Sequence, residues 1–165
     1  MSSTGVSFAC WFKFTASSGQ SSRIFNFGNV NGYGSHSDGI GFSMLNHLVQ
    51  LFACTSQGSC SYTRYLDANL VITDNVWRHA VWTVDSAGNW IGYINGKMNC
   101  AYSAVAPVTA VLRNFNYLGK STSADPYLDG AIDEFYYFDT VLTAGQVMSL
   151  YQQGGACLPL ELHLI

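Results

Sequence analysis

Short runs in which apolar and polar residues alternate recur along most of the chain, separated by Gly, Asn, Asp and Ser. Alternation with a period of two places the apolar side chains on one face of a strand, so each run predicts a half-buried β-strand. The predicted strands are Val6–Phe14, Arg23–Phe27, Gly39–Leu45, Leu48–Cys54, Ser61–Tyr65, Trp77–Asp85, Trp90–Ile94, Asn114–Leu118 and Ala131–Phe138. The alternating tail Leu158–Leu164 is either a tenth strand, the cut end of a longer chain or a foreign remnant.

Turn residues support several of these boundaries. The segment Ser86–Asn89, with the sequence Ser-Ala-Gly-Asn, is expected to close one hairpin. Asn95 and Gly96 form the dipeptide most typical of a two-residue hairpin turn. The strands on either side of each turn are therefore expected to pair in a fixed register.

One helix, Ala144–Gln153, is predicted from the signals at its two ends. Thr143 and Gln146 have the spacing of a capping box, and Gly154 and Gly155 predict a left-handed stop. The apolar residues expected to dock the helix on a sheet are Leu142, as an N-terminal staple onto Val147, and Val147, Leu150 and Tyr151.

About ten strands and one late helix predict an all-β fold, a two-sheet antiparallel β-sandwich of jelly-roll type. A sheet this rich in Phe, Trp and Leu must cover its apolar face with a second sheet. The chain has 165 residues, enough for one domain that buries roughly 70% of its unfolded surface. We place that domain at residues 1–155, with 156–165 as a tail or final edge strand.

Composition narrows the function classes. Charged residues make up 10% of the chain and the net charge is -3, which excludes coiled coils and argues against nucleic-acid binding, because that binding depends on clustered Lys and Arg. The sequence has neither an apolar run long enough to span a membrane nor a signal-peptide pattern at its start.

The five cysteines lack the Cys-x-x-Cys spacing of zinc sites and redox motifs. Cys54 and Cys60 flank a flexible polar turn and are the first predicted disulfide, and Cys10 with Cys100 is the second. Cys157 is then unpaired or bonded outside the chain. These pairings predict an extracellular module of a larger secreted or cell-surface protein; the alternative is five reduced thiols in a cytosolic protein.

Five motifs in one order carry a resemblance over residues 6 to about 153. They are Trp77-x-His79-x-x-x-Thr83, Tyr93-x-Asn95-Gly96, Asn116-Tyr117-Leu118-Gly119, Gly130-Ala131-Ile132-Asp133-Glu134-Phe135 and the helix Leu142-Thr143-x-x-x-Val147. The chain resembles the laminin-G-like and concanavalin A-like lectins, and among them the pentraxin type. It departs from them in lacking a strand before Val6 and in carrying Val81 where pentraxins have a cysteine.

The candidate chemistry does not indicate an enzyme. The chain has two glutamates, Glu134 and Glu161, and lacks the Glu-x-Asp-x-x-Glu motif of the glycosidases it resembles. Adjacent Asp133 and Glu134 are expected to point to opposite faces of a strand. A carboxylate pair such as Asp67 and Asp85 meeting on one face would reopen the hydrolase class. Trp77, His79 and Trp82 are expected to pack in the core.

The pentraxin resemblance implies a calcium site, since calcium takes oxygen ligands from loops. The implied metal ligands are Asp38, Asp125 and Asp129, helped by Asn29 and Asn31. The later loop, Ser121–Asp125, has fewer charged residues than the family's Glu-Gln-Asp run, so weak affinity is expected. A calcium ion on the convex face, at Asp133, is a second option.

The function expected is that of an extracellular, non-catalytic recognition module that binds carbohydrate, with calcium assistance, or a protein ligand. Loop aromatics would stack on sugar rings while amides and carboxylates bind the hydroxyl groups. The candidate ligand-binding residues are Asn31, Tyr33, His36, Asp38, Asp125 and Tyr127, with Tyr62 and Tyr65 as further aromatics. The alternative is a structural domain that assembles or self-associates through its sheet edges.

Overall fold

The computed structural model describes residues 5–15, 22–30, 36–45, 48–53, 62–65, 75–105, 107–108, 110–122 and 124–155, with the backbone alone at 30, 36–37, 45, 62–65 and 155. The described strands are β1 (Gly5–Phe14), β2 (Ser22–Val30), β3 (His36–Leu45), β4 (Leu48–Ala53), β5 (Tyr62–Tyr65), β6 (Arg78–Asp85), β7 (Trp90–Ile94), β8 (Lys97–Tyr102), β9 (Phe115–Leu118) and β10 (Gly130–Phe138). Helix α1 spans Ala144–Gly155. The tail predicted as Leu158–Leu164 lies outside the described residues.

The strands form two antiparallel five-stranded sheets, which confirms the predicted sandwich. One sheet has the order β10-β1-β6-β7-β8 and the other β5-β4-β3-β2-β9. Between them lies an aromatic core in which Phe8 stacks on Phe25 at 4.8 Å and Trp82 meets Trp90 edge to face at 4.8 Å, each distance joining ring centroids. In this order β10 and β9 are edge strands of their sheets, and Phe135 of β10 packs across the gap between the sheets on Phe25 of β2, the strand next to β9.

The two faces of β1 serve two different layers. Phe8, Phe12 and Phe14 face the second sheet, whereas Ala9 and Trp11 lie on the outer face, under α1. The predicted capping box is present, because the Thr143 backbone N–H donates to Gln146 Oε1 at 2.8 Å and the Gln146 N–H donates to Thr143 Oγ1 at 3.3 Å. The predicted docking residues Leu142 and Val147 are buried in this outer cluster, and Leu150 packs against it.

The predicted left-handed stop at Gly154 is wrong. Gly154 belongs to α1, is buried and does not have a positive φ. A Cβ atom at this position would collide with Trp11 and Glu134. Gly154 is therefore needed for close approach of the helix to β1 and β10.

Strand β8 is the described strand that the apolar pattern did not predict. Both predicted hairpins are present: Asn95 and Gly96 have φ values of 49° and 77°, and Asp85 Oδ1 accepts hydrogen bonds from the Ala87 and Asn89 N–H groups. None of the described helices is long and apolar enough to cross a membrane.

The predicted disulfide between Cys10 and Cys100 is contradicted, since both cysteines are free. Cys10 lies on β1 and Cys100 on β8, with β6 and β7 between them. Three strand spacings separate them by about 14 Å, twice the distance of roughly 7 Å between Cα atoms that a disulfide can bridge. Cys54, Cys60 and Cys157 lie outside the described residues, so that part of the prediction stays untested.

Candidate functional site

The exposed apolar side chains concentrate on one side of the sandwich. Among the described residues, eight large hydrophobic side chains are exposed, and Val76 and Met98 alone lie elsewhere. The other six are on or beside β9 and β10, on what we call the edge surface: Leu112, Phe115, Leu118, Tyr127, Tyr136 and Tyr137. Clustered exposed aromatic residues of this kind mark interaction surfaces.

Three residues of this region form a smaller group, the Tyr–Lys cluster, composed of Tyr117, Lys120 and Tyr127. The Lys120 ammonium lies 4.9 Å from the ring centroid of Tyr117 and 5.8 Å from that of Tyr127. Tyr127 is 71% exposed. A cation held against two ring faces presents apolar ring surface and hydrogen-bond donors side by side.

The backbone around Gly119 fixes this cluster. The Gly119 N–H donates to the Ile24 carbonyl and the Leu128 N–H donates to the Gly119 carbonyl, both at 2.9 Å. Gly119 has a φ of 68°, in the left-handed region that favours glycine. Beside the cluster, a groove of about 440 Å³ is lined by Leu118, Gly119, Leu128 and residues 130–135 of β10.

Asp38, one of the predicted ligand-binding residues, lies at the start of β3 with a φ of 53°. Its carbonyl oxygen accepts a 2.7 Å hydrogen bond from Arg113 Nε. Asn29 lies nearby on β2; its amide donates to the Leu112 carbonyl at 2.8 Å and accepts from the Asn114 N–H at 2.9 Å. Asp38 and Asn29 thus both hydrogen-bond to the segment Leu112–Asn114, which carries Arg113.

Asp125 contacts the start of β2, at the opposite end of that strand from Asn29. Its carboxylate forms a 2.9 Å ion pair with Arg23, whose guanidinium also lies 5.1 Å from the Phe52 ring centroid. Burial lowers the pKa of Arg23 and the Asp125 charge opposes that shift. In this arrangement Asp125 serves to compensate a largely buried arginine.

The structure does not bring the implied calcium ligands together. Asp38 lies beside Gly28 of β2 in the β2–β3 register, and Asp125 contacts Arg23 of the same strand. Gly28 and Arg23 are five residues apart along β2, so Asp38 and Asp125 are separated by on the order of 15 Å. The third ligand, Asp129, is exposed, and its carbonyl accepts from the Thr15 N–H. No group of three or more His, Cys, Asp or Glu able to hold a metal occurs within the described ranges. The residues described do not fit a calcium ion shared by Asp38 and Asp125.

Six predicted aromatic or polar residues cannot be placed as side chains. Asn31 and Tyr33 lie outside the described residues, as does Asp67. The backbone of His36 belongs to β3, and Tyr62 and Tyr65 belong to β5, but their side chains lie outside the described set. Among the predicted ligand-binding residues whose side chains the structure describes, Tyr127 is the one found in an exposed cluster.

Asp133 and Glu134 lie at a β-bulge that interrupts the expected alternation. Ala9 pairs with Tyr136 and Trp11 with Asp133, so β10 places two residues opposite Cys10. Glu134 has a φ of 48°, and its N–H donates to Asp133 Oδ1 at 2.8 Å. The bulge re-aims Glu134 toward Trp11 and α1.

Sequence reasoning missed Tyr117, Lys120 and Arg113. Tyr117 was included in a family motif, but its partner Lys120 lies across a glycine turn that local patterns do not resolve. Trp82 and His79 are buried, as predicted. Trp77 is half-buried, with the Lys13 ammonium 5.2 Å from its ring centroid.

The family model of the concanavalin A-like lectin/glucanase superfamily matches residues 1–148. The chain therefore belongs to that superfamily. A search of curated proteins found no match.

Solved structures share the fold at low sequence identity. Domain 4 of the extracellular arabinanase AbnA from Geobacillus stearothermophilus, in complex with arabinotriose, matches at a TM-score of 0.66 and 21% identity over 92% of this chain and 69% of that one. A heptameric SAP-like pentraxin from Limulus polyphemus matches at 0.66 and 15% over 89% and 69%.

A structure of botulinum neurotoxin type C, titled for an interaction with two ganglioside molecules, matches at a TM-score of 0.64 and 16% identity. That match covers 91% of this chain and 36% of the toxin chain. The present chain thus spans little more than a third of such toxin structures. These likenesses establish the fold, and several of the matched structures, among them that of Paraclostridial Mosquitocidal Protein 1, are binding domains by their titles.

Proposed function

We propose that this chain is a non-catalytic carbohydrate-recognition module that binds sugar at the Tyr–Lys cluster. The observation that carries the proposal is the exposed Tyr127 ring beside the Lys120 ammonium. The C–H groups on one face of a sugar ring carry partial positive charge and contact the electron-rich face of an aromatic ring favourably. Lys120 supplies donors for the sugar hydroxyl or carboxylate oxygens.

The adjoining groove supports this assignment. Asp133 and Glu134 line it along β10, and Leu118 and Leu128 form its apolar wall. Carboxylate oxygens accept hydrogen bonds from hydroxyl groups, so a sugar that extends from Tyr127 into the groove would meet Asp133 as an acceptor and the apolar wall. The Glu134 carboxylate lies instead against Trp11 and Gly154. Among the structural neighbours, the arabinanase domain is in complex with arabinotriose and the neurotoxin structure is titled for an interaction with ganglioside, both consistent with such a ligand.

The test is binding to a glycan array by the wild-type chain and by Tyr127→Ala. Because Tyr127 is exposed, its removal leaves the core intact, and we expect binding to fall about tenfold or more from the loss of stacking. Tyr136→Ala is the matched control, since Tyr136 is an exposed tyrosine of β10 outside the cluster and the groove. Equal binding by the wild type and Tyr127→Ala would contradict the proposal.

Calcium dependence and location belong to the same proposal. Repeating the array with a chelator tests calcium assistance, and loss of binding would require a calcium site other than one shared by Asp38 and Asp125. We propose an extracellular location, in line with the arabinanase neighbour, which is extracellular by its title. Detection of the tagged full-length protein outside cells, with Cys54 and Cys60 joined in peptide mapping, is the expected result.

A protein-assembly role is the second candidate, and the edge surface favours it. Leu118, Tyr136 and Tyr137 expose apolar area along two edge strands. In this case Tyr136→Ala would weaken self-association measured by analytical ultracentrifugation. Neither the wild type nor Tyr127→Ala would then bind a glycan on the array.

A further inference from the structure

The groove beside the Tyr–Lys cluster runs along the edge of β10. Its lining includes every residue from Gly130 to Phe135. Successive residues of a strand point to opposite faces of the sheet, so a groove lined by such an unbroken run borders the edge of the strand and not one of its faces. Among the described strands, β10 has β1 as its one neighbour in the sheet. Alternate residues of an edge strand turn their backbone N–H and C=O groups away from the sheet, and these groups form one wall of the groove.

One end of the groove is at the Tyr–Lys cluster. Two of its lining residues, Gly119 and Leu128, are joined by a backbone hydrogen bond and are the chain neighbours of Lys120 and Tyr127. A sugar ring stacked on Tyr127 therefore lies at the mouth of the groove.

The other end of the groove is at Phe135. This ring packs on Phe25 at 5.3 Å between centroids, and Phe25 pairs with Leu118 in the β2–β9 register, so Leu118 lies across the groove from Phe135. From Gly130 to Phe135 the strand spans about 16 Å, roughly the length of three pyranose rings in a chain. A volume of about 440 Å³ over that length has room for a single chain and none for a branch.

The edge of β10 is unsuited to pairing with another strand. The bulge at Asp133 and Glu134 breaks the regular spacing of its backbone groups, and Glu134 has a φ of 48°. Asp133 adds an exposed carboxylate at the same place. Bulges and charged side chains are two of the means by which edge strands avoid adding a further strand. Sugar hydroxyl groups both donate and accept hydrogen bonds and do not require a regular ladder.

We propose, on the basis of the function proposed above, that the ligand is a linear oligosaccharide of about three or more rings. One ring stacks on Tyr127, and the following rings lie along β10 toward Leu118 and Phe135. Their hydroxyl groups bond to the free backbone groups of the strand and to Asp133, and their apolar faces rest on Leu118 and Leu128. A single terminal sugar would occupy the mouth of the groove and leave the rest unused.

The experiment measures binding of the wild-type chain to arrays that carry linear fragments of cellulose, mannan, xylan and chitin, in lengths from a single ring upwards, beside branched glycans. In a series that binds, we expect the Kd to fall about tenfold or more from one ring to three and to change by less than about twofold beyond that. Rings beyond the length of the groove extend into solvent and gain no contacts.

Leu118→Trp tests the far end of the groove. Leu118 is exposed, so a larger side chain there fills the groove without disturbing the core. This variant should bind three-ring ligands no better than the wild type binds two-ring ligands, and should bind shorter ligands as the wild type does. Leu112→Trp, at an exposed position outside the groove, is the matched control and should change neither. Tyr127→Ala should weaken binding at every length.

The proposal and the function on which it rests fail in different ways. Binding that is independent of ring number, confined to single-ring or branched glycans, or unchanged by Leu118→Trp would overturn the proposal and leave a carbohydrate site at Tyr127. Absence of binding to any glycan would contradict the proposed function itself. Capture of an extended peptide of alternating Val and Thr by the wild type, lost in Leu118→Trp, would overturn the proposal in favour of strand addition.

Discussion

His79 is a buried histidine that the fold keeps neutral. It lies on the outer face of the β10-β1-β6-β7-β8 sheet, with its ring centroid 5.4 Å from that of Trp11 and 6.1 Å from that of Tyr151 on α1. Its Nδ1 atom is buried without a hydrogen-bond partner among the described residues. Burial lowers the pKa of His79 from 6.5 to about 4.

This shift predicts loss of stability in mild acid. Between pH 6.5 and 4 the unfolded chain binds a proton at His79 that the folded chain does not, so the free energy of unfolding falls as pH falls through that window. The full loss is about 3 kcal/mol, from the energy of 1.36 kcal/mol per pKa unit. Denaturant melts of the wild type and His79→Phe at several pH values measure it. The difference between the two should be flat above pH 7; a parallel dependence below pH 6.5 would contradict the prediction.

At the scale of elements, helix α1 and the sheet beneath it approach closely because Gly154 has no side chain. A Cβ atom there would overlap Trp11 and Glu134, whereas one on Gly145, in the first turn, would meet nothing within 4 Å. Gly154→Ala is expected to lower the free energy of unfolding by about 1–3 kcal/mol through overpacking, despite the better helix propensity of alanine. Gly145→Ala should raise it by up to about 1 kcal/mol. Thermal and denaturant melts of both variants provide the comparison. Equal changes in the free energy of unfolding would contradict the prediction, because they would mean that the structure accommodates a Cβ atom at position 154 without cost.

The elements that sequence could predict are those whose signals are local. The apolar alternation of β1 and β6 was sufficient to predict these strands, and Asn95-Gly96 was sufficient to predict the turn. Strand β8 was missed because its residues are half-exposed or exposed and do not alternate. The bulge at Glu134 depends on its pairing with β1, which the sequence of β10 does not specify. That Asp38 and Asp125 lie at opposite ends of β2 follows from strand pairing and an ion pair, which the sequence does not specify, and Lys120 and Arg113 likewise acquire their contacts only in the folded chain.

At the scale of the whole molecule, β1 links every layer. It pairs with β10 on one side and β6 on the other, and its two faces contact the second sheet and the helix layer. Removing either layer would expose large aromatic side chains such as Phe8 and Trp11, which are buried. We therefore expect the described sandwich and α1 to unfold as one cooperative unit.

The two free thiols provide a test of that cooperativity, because one is buried in the core and the other lies on an edge strand. Cys10 is buried on β1, and burial raises its pKa to about 12, whereas Cys100 is half-buried on the edge strand β8. Alkylation by iodoacetamide, resolved by peptide mass spectrometry, should modify Cys100 at least about 100-fold faster than Cys10, because Cys10 becomes accessible only through global unfolding. The Cys10 rate should rise with denaturant with the same slope as the equilibrium unfolding free energy, while the Cys100 rate rises less steeply. Modification of Cys10 at the Cys100 rate, or independently of denaturant, would mean that β1 separates from its neighbours without global unfolding.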